Sequence, residues 1–425
     1  MTHYNFYYDE SEHSREINHQ TISASNYYDN FVAVFLGWDS SQEEKIKQDY
    51  LAFEQQYGER KNKKGELKSE TIKNKQFKNG LASTSKDNLK FLEDFLELFD
   101  ENVLIQYSII SKIEYIILQM LKSYGESSVI NLPSLCYSVT KLLLLYRPES
   151  VLKSIYDNIN NFPTLFVDFC NERLRANDAN LKLKQSENKI LQELIILFQD
   201  IREDFQINWN YDIVFRGFKK YLLEIKIDDY LLILDKEGEE GEASRTLKAA
   251  QSVGLKNLQE LMSEDQFGIL MADMLAGVIS KFMKALNTEL RYKNQADGTQ
   301  KKLLSLAWFN VNDRQLQLYK KLYYVVSELN KAWYKVYSGN YSDDLITFLG
   351  FLDYMNHFIS VKEIKGPDYK LIPEYCNACI CERLAQHFRR MNPGQQYDLN
   401  LKLVDDRKNY FFNKEGAEIY FDTRK

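Results

Sequence analysis

DDYLLILD, residues 228–235, is a short continuous apolar run that ends in an acid. Hydrophobicity that is continuous over strand length, rather than alternating, fits a strand covered on both faces, as in a parallel pair. Asp235 then stands at the end of a buried strand. Upstream, YNFYYD (4–9) is dense in aromatic side chains and ends in Asp9, and YDNFVAVFLG (28–37) is an apolar, β-branched run of strand length. The polar stretch between them, residues 11–26, predicts a hairpin connection. NVLIQYSIIS (102–111) reads as a further strand, and residues 255–260 as the last strand of the core. SEDQ (263–266) has the capping-box pattern, Ser263 at the N-cap and Gln266 at N3, and predicts a helix through Leu286 that carries ADMLAG (272–277).

Helical spacing fills most of what remains. Residues 41–57 and 85–98 read as helices, and from 112 to 227 the apolar spacing is mostly helical, with turn signals at NLP (131–133), YRPES (146–150) and NNFPT (160–164). The expected organisation is an α/β core from residues 1–111 and 225–286, interrupted by a large helical insertion (112–224) and followed by a mainly helical C-terminal region (287–425). Within that last region helices are expected at 313–337, 342–362 and 373–391, then a polar tail with two short strands.

Composition bounds the function. The chain has 425 residues, 44% of them apolar, enough for a sizeable core and two or three domains. Lysine and arginine number 55 against 61 acids, and the net charge of −6 excludes a uniform basic coat; any nucleic-acid contact has to come from local patches. Five cysteines, an odd count, and a strand-like beginning point to a reducing cytoplasm. The longest apolar stretches, 130–145 and 267–283, are interrupted by Lys141 and Asp273 and fall short of the roughly 20 residues of a membrane span.

Asp9, Asp235 and Asp273 occupy the positions that matter for chemistry. A carboxylate inside an apolar helix, as Asp273 is, costs free energy unless it is paired, protonated or bound to metal. Ala272, Ala276 and Gly277 around it allow a close approach to a sheet. If the strands of Asp9 and Asp235 are neighbours, three carboxylates converge, and such oxygen clusters select Mg²⁺ or Mn²⁺. Taken singly, Asp9 and Asp235 read more readily as turn residues at strand ends than as functional acids.

FYYDESEHS (6–14), FVAVFLGW (31–38), GELKS (65–69), LLILD (231–235) and ADMLAG (272–277), in that order, resemble the domain of unknown function family 3800. The resemblance covers roughly residues 4–111 and 225–286. It implies an RNase H-like mixed sheet with an acidic metal site, and so a metal-dependent nuclease. Asp9 would be the first metal-bridging acid, Glu66 the second, Asp235 the strand-end acid and Asp273 the helix acid. Glu10 is expected to face the other way, since neighbours on a strand alternate. Glu12 stands where the family more often has glycine.

The reaction this implies is phosphodiester hydrolysis with two ions about 4 Å apart. Lys68 would contact the scissile phosphate, and His13 would assist leaving-group protonation or product release; a solvated lysine and a surface-loop histidine are the plainer readings. Arg60, Lys61, Lys63, Lys64, Lys68, Lys73, Lys75 and Lys78 form a candidate track for an RNA or DNA backbone, or simply a solvated segment. Cys376, Cys379 and Cys381 with His387 have a usable zinc spacing, but IPEYCNACICERLAQHFRR reads as one helix that buries the thiols, the reading adopted here. The large helical additions lead us to expect a regulatory protein partner or self-association, as in bacterial anti-phage defence. Two alternatives stand beside the nuclease: a non-catalytic RNase H-like scaffold for protein partners, and a phosphodiesterase acting on small nucleotides.

Overall fold

The five core strands expected from the sequence form, within two or three residues of their expected ends, and two short strands that were not expected, at residues 78–81 and 336–338, accompany them. The computed structural model describes residues 3–12, 19–24, 27–122, 132–198, 207, 209–236, 243–262, 266–294 and 296–391. The strands are β1 (Tyr4–Ser11), β2 (Asn30–Asp39), β3 (Lys78–Leu81), β4 (Leu104–Ser111), β5 (Tyr230–Asp235), β6 (Leu258–Leu261) and β7 (Val336–Ser338). Six of them make one mixed sheet in the order β6-β5-β1-β2-β4-β7, with β3 outside it. β1 and β5 are parallel neighbours, as are β5 with β6 and β4 with β7; β2 alone runs against the rest. The parallel pairing of β1 and β5 is the arrangement that the DDYLLILD run implied.

Alternation then divides β1 between two cores. Tyr7 points to a face covered by the helix Phe267–Leu290, whose Ile269, Met271, Leu275 and Ile279 pack over Val32, Val34 and Leu36 of β2. Gly268 is required here: a Cβ at that position would collide with the Tyr7 ring. Phe6 and Tyr8 point to the opposite face, where they meet Phe215 and Phe218 of the helix Ile213–Ile225. Phe218 also stacks on Phe35, ring centres 4.2 Å apart. The sequence reading grouped this helix with the insertion; its apolar positions 214, 215, 218, 221 and 222 instead bury against the sheet.

The helices Lys112–Met120, Leu132–Tyr146, Glu149–Asp157, Phe162–Asn177 and Leu181–Phe198 share a separate apolar cluster. The helices Asp313–Tyr323, Asp343–Asn356 and Ile372–Met391 pack instead into the core beneath Phe267–Leu290. The single helix expected over 313–337 is a correction: it ends at Tyr323, continues as a wider turn over Tyr324–Glu328, and the chain then reverses into β7. The reversal passes through Asn330 at φ +47°, a conformation asparagine tolerates better than most side chains. Buried Lys335 donates to the carbonyls of Val325, at 2.9 Å, and Leu329, satisfying groups that the ended helix leaves open.

Phe267–Leu290 begins at Phe267 with Gln266 as its N-cap, so Ser263 does not cap it. Residues 263–265, and the tail from 392 with its expected strands, lie outside the described residues. Cys376, Cys379 and Cys381 are buried on one helix, as expected, with Gly350 of the neighbouring helix close against Ile380. Among the described residues no helix is long and apolar enough to cross a membrane.

Candidate active site

The last registered pair of the β1–β5 ladder is Tyr8 with Leu234, so the next residues, Asp9 and Asp235, come level on adjacent strands. Neighbouring strands lie about 4.8 Å apart. Asp9 shares the Tyr7 face and Asp235 the Ile233 face, which are the same side of the sheet, the side covered by the helix that carries Asp273. Glu10 takes the opposite face, where the Tyr8 hydroxyl donates to its carboxylate. The expectation that Glu10 looks away from the acids is therefore met.

Asp9 is 7% exposed. Burial pushes its carboxyl well above the usual carboxylate range, and the nearby Asp273 pushes it further; Asp235 and Glu10 add to this, against the Glu10 backbone N–H that donates to it at 2.7 Å. Burial raises Asp273 too, opposed by the Ser69 N–H at 2.7 Å and by Lys68 and Lys281. The Ser69 contact depends on Gly277, because a Cβ there would overlap the serine side chain. Small residues around Asp273 thus serve approach, though of the 66–69 loop as well as of the sheet.

That loop brings Glu66, 4% exposed, toward the acids. Asn62 donates to Glu66 Oε2 at 2.8 Å, and the Lys68 ammonium lies 3.3 Å from Oε1. Lys68 registers the whole group. Burial lowers its pKa, but Glu66, Asp273, Asp9 and Asp235 together outweigh burial and hold the ammonium above its ordinary range. One side chain is within electrostatic reach of all four acids singled out in the sequence.

Other expected contacts sort differently. Glu12 adopts φ +66°, the left-handed region that glycine enters at least cost, and its carboxylate pairs with Lys284 at 3.0 Å. His13 lies outside the described residues. Arg60 stacks over Phe91, 4.8 Å from the ring centre, and bonds Asn88, so it serves packing. Lys61 pairs with Glu54 at 3.0 Å, while Lys63, Lys64, Lys73, Lys75 and Lys78 are exposed.

Two groups went unforeseen. Tyr50, on the helix Glu43–Gln56, buries its hydroxyl without a hydrogen-bond partner among the described residues; burial, then Glu54, Asp273 and Glu66, raise the phenol. Lys281 lies two turns beyond Asp273 on the same helix face. Neither carries a sequence signal, one reading as a core aromatic and the other as a solvated lysine. Glu43 gives a contrast: three donors, Asn5, Tyr7 and Trp38, occupy its carboxylate at 2.5–2.9 Å, so its oxygens are satisfied within the protein.

Oxygen donors this concentrated suit a hard divalent cation, and the mutual destabilisation of Asp9 and Asp273 is what such an ion relieves. Among the described residues, however, no three His, Cys, Asp or Glu side chains stand at the closed spacing of a formed metal centre. The residues therefore fit the ion in donor type and charge, and coordination requires the carboxylates to draw together. Comparison of the chain with protein-family models, with curated proteins and with solved structures found no match.

Proposed function

We propose that this chain is a metal-dependent nuclease with an RNase H-like core that hydrolyses phosphodiester bonds in RNA or DNA. The observation that carries the reading is the convergence of Asp9, Glu66, Asp235 and Asp273, from four distant stretches of chain, around the Lys68 ammonium. The strand order supports it as well, with β1 between an antiparallel β2 and a parallel β5 and the acids at the C-terminal ends of β1 and β5. Ligands of open α/β sheets bind outside the carboxyl ends of strands.

Asp9, Asp235, Asp273 and Glu66 would hold Mg²⁺ or Mn²⁺. Metal held there would supply a lowered pKa for a water nucleophile and charge stabilisation at the leaving oxygen. The chain's own groups do the positioning. Ser69 fixes the Asp273 carboxylate through its N–H, Asn62 fixes Glu66, and Lys68 offsets part of the anionic surplus so that a phosphodiester, itself an anion, can approach. Exposed Lys63 and Lys64 extend that positive edge. The five cysteines are in keeping with a cytoplasmic setting.

The test is incubation with labelled RNA and DNA in Mg²⁺ or Mn²⁺, comparing the native chain with Asp9→Ala and Asp273→Asn. Cleavage confined to the native chain is expected. Equal cleavage by all three would assign it to a contaminant or another site, and cleavage of mononucleotide esters in preference to oligonucleotides would move the assignment to a small-nucleotide phosphodiesterase.

A further inference from the structure

Three ammonium groups stand around the acids, and they are not equivalent. Lys68 is held by Glu66 at 3.3 Å and Lys284 by Glu12 at 3.0 Å. Lys281 has neither a hydrogen bond nor an ion pair among the described residues, although it is only partly exposed. Its position is built by the helix. Asp273, Gly277 and Lys281 follow at intervals of four, one above another on a single face. Long helical side chains lean toward the N-terminus. Accordingly the Lys281 Nζ lies 3.2 Å from where a Cβ of Gly277 would be, folded back over the bare turn that also admits Ser69. The charged groups that face it are Asp273, Glu12 and Glu70, with Lys284 as the opposing cation.

An ammonium with its hydrogens uncommitted, sheltered from water beside a carboxylate cluster, is costly unless something completes it. The neighbouring acids attract it without bonding it. Resting on the nuclease reading, we infer that Lys281 binds a non-bridging oxygen of the scissile phosphodiester and stabilises the charge that grows on it during cleavage. A phosphate oxygen supplies the missing acceptor, and the geometry points the donor along the helix face toward Asp273. Lys68 then balances the resting acids, while Lys281 is reserved for substrate.

The experiment is steady-state cleavage of a single-site oligonucleotide in Mn²⁺ by the native chain, Lys281→Met and Lys281→Arg, with the Mn²⁺ requirement and the melting temperature recorded for each. Loss of one preorganised donor to a developing oxyanion costs on the order of 100-fold in kcat. We expect Lys281→Met to lose about that much, with an unaltered Mn²⁺ requirement and no fall in melting temperature, and Lys281→Arg to recover most of the rate. Replacing each non-bridging oxygen of the scissile linkage in turn by sulfur adds a readout that a structural role would not move: the penalty at one oxygen should shrink toward unity in Lys281→Met. Undiminished kcat in Lys281→Met, or a loss matched by a higher Mn²⁺ requirement or by a lower melting temperature, overturns the assignment while leaving the nuclease reading intact. Absence of cleavage by the native chain overturns both.

Discussion

The molecule buries charge in two places, and the two are built on opposite principles. Among the helices of residues 112–198, Arg173, Lys184 and Glu187 are almost wholly buried. Glu187 pairs with Lys184 at 2.8 Å, accepts the Tyr146 hydroxyl at 2.8 Å and accepts Asn177 at 2.9 Å. Arg173 lies flat over Tyr146 at 3.9 Å and bonds Asn177 at 2.5 Å. Cation and anion alternate there, so the charges largely offset one another, although Arg173 Nε and Nη1 find no hydrogen-bond partner among the described residues. On the sheet face, four acids lie within electrostatic reach of Lys68, and Asp9 is raised by burial and by Asp273 and Asp235, opposed by the Glu10 backbone N–H. A group in which cations face an anion is close to balanced without a ligand and holds helices together. A surplus of one sign stays expensive until a counter-ion arrives, so it marks the place where a ligand belongs.

Neutralising one member of each group is the sharpest way to break this contrast. Asp9→Asn or Asp273→Asn should lower cleavage at least about 1,000-fold, by analogy with loss of other charge-stabilising groups, while calorimetry shows an unchanged or higher melting temperature, because repulsion is removed. A lower melting temperature in both variants would mean that the acids are structural after all. Glu187→Ala should do the reverse. It leaves Arg173 and Lys184 buried without their anion, a loss of about 3–5 kcal/mol for a broken buried pair, read from the urea midpoint; specific activity per folded molecule should persist.

A subtler outcome concerns Glu114, a buried acid that joins the two regions. It accepts the Tyr341 N–H at 2.9 Å, and burial pushes its carboxyl up to about 8. The folded state then holds a proton that the unfolded chain releases near 4.5. Its contribution is complete below pH 4.5 and is lost as pH rises through about 8. Stability followed by denaturant melts should therefore decline across that interval, and Glu114→Gln should flatten the decline. A profile identical in the variant would remove Glu114 from the account. The smallest effect is expected from Lys61, Lys63 and Lys64 replaced together. Lys61 is committed to Glu54, so the salt dependence of oligonucleotide binding, measured by anisotropy, should flatten by about two phosphate contacts' worth rather than three; an unchanged slope would detach this loop from the substrate.

Much of the site was legible residue by residue. Asp9 and Asp235 stood out because each ends an apolar run, and Asp273 because it interrupts one; the convergence of all three needed only that β1 and β5 be neighbours. Glu12 stood out only against the glycine more common in the family the sequence resembles, and its φ of +66° supplies the reason glycine would suit that turn. Lys281 and Tyr50 were illegible for a common cause. Their meaning lies in what they fail to touch, and a missing partner has no sequence pattern. The helix expected through residue 337 was misjudged because its apolar spacing continues past Tyr323, while the reversal at Asn330 and the pairing of Val336–Ser338 beside β4 depend on distant chain.

The sequence by itself marked five of the strands, most of the helices and Asp9, Asp235 and Asp273 as candidate acids, since apolar periodicity and the cost of a carboxylate in an apolar run are local properties; Glu66 entered only through the family resemblance. Only the tertiary structure decided that those acids share one face, that Ser69 and Lys68 come to them across Gly277, and that Lys281 remains uncommitted. Strand register and helix approach bring together residues more than 200 positions apart, as with Ser69 and Asp273, and the electrostatic balance of a site exists only once its charges stand side by side.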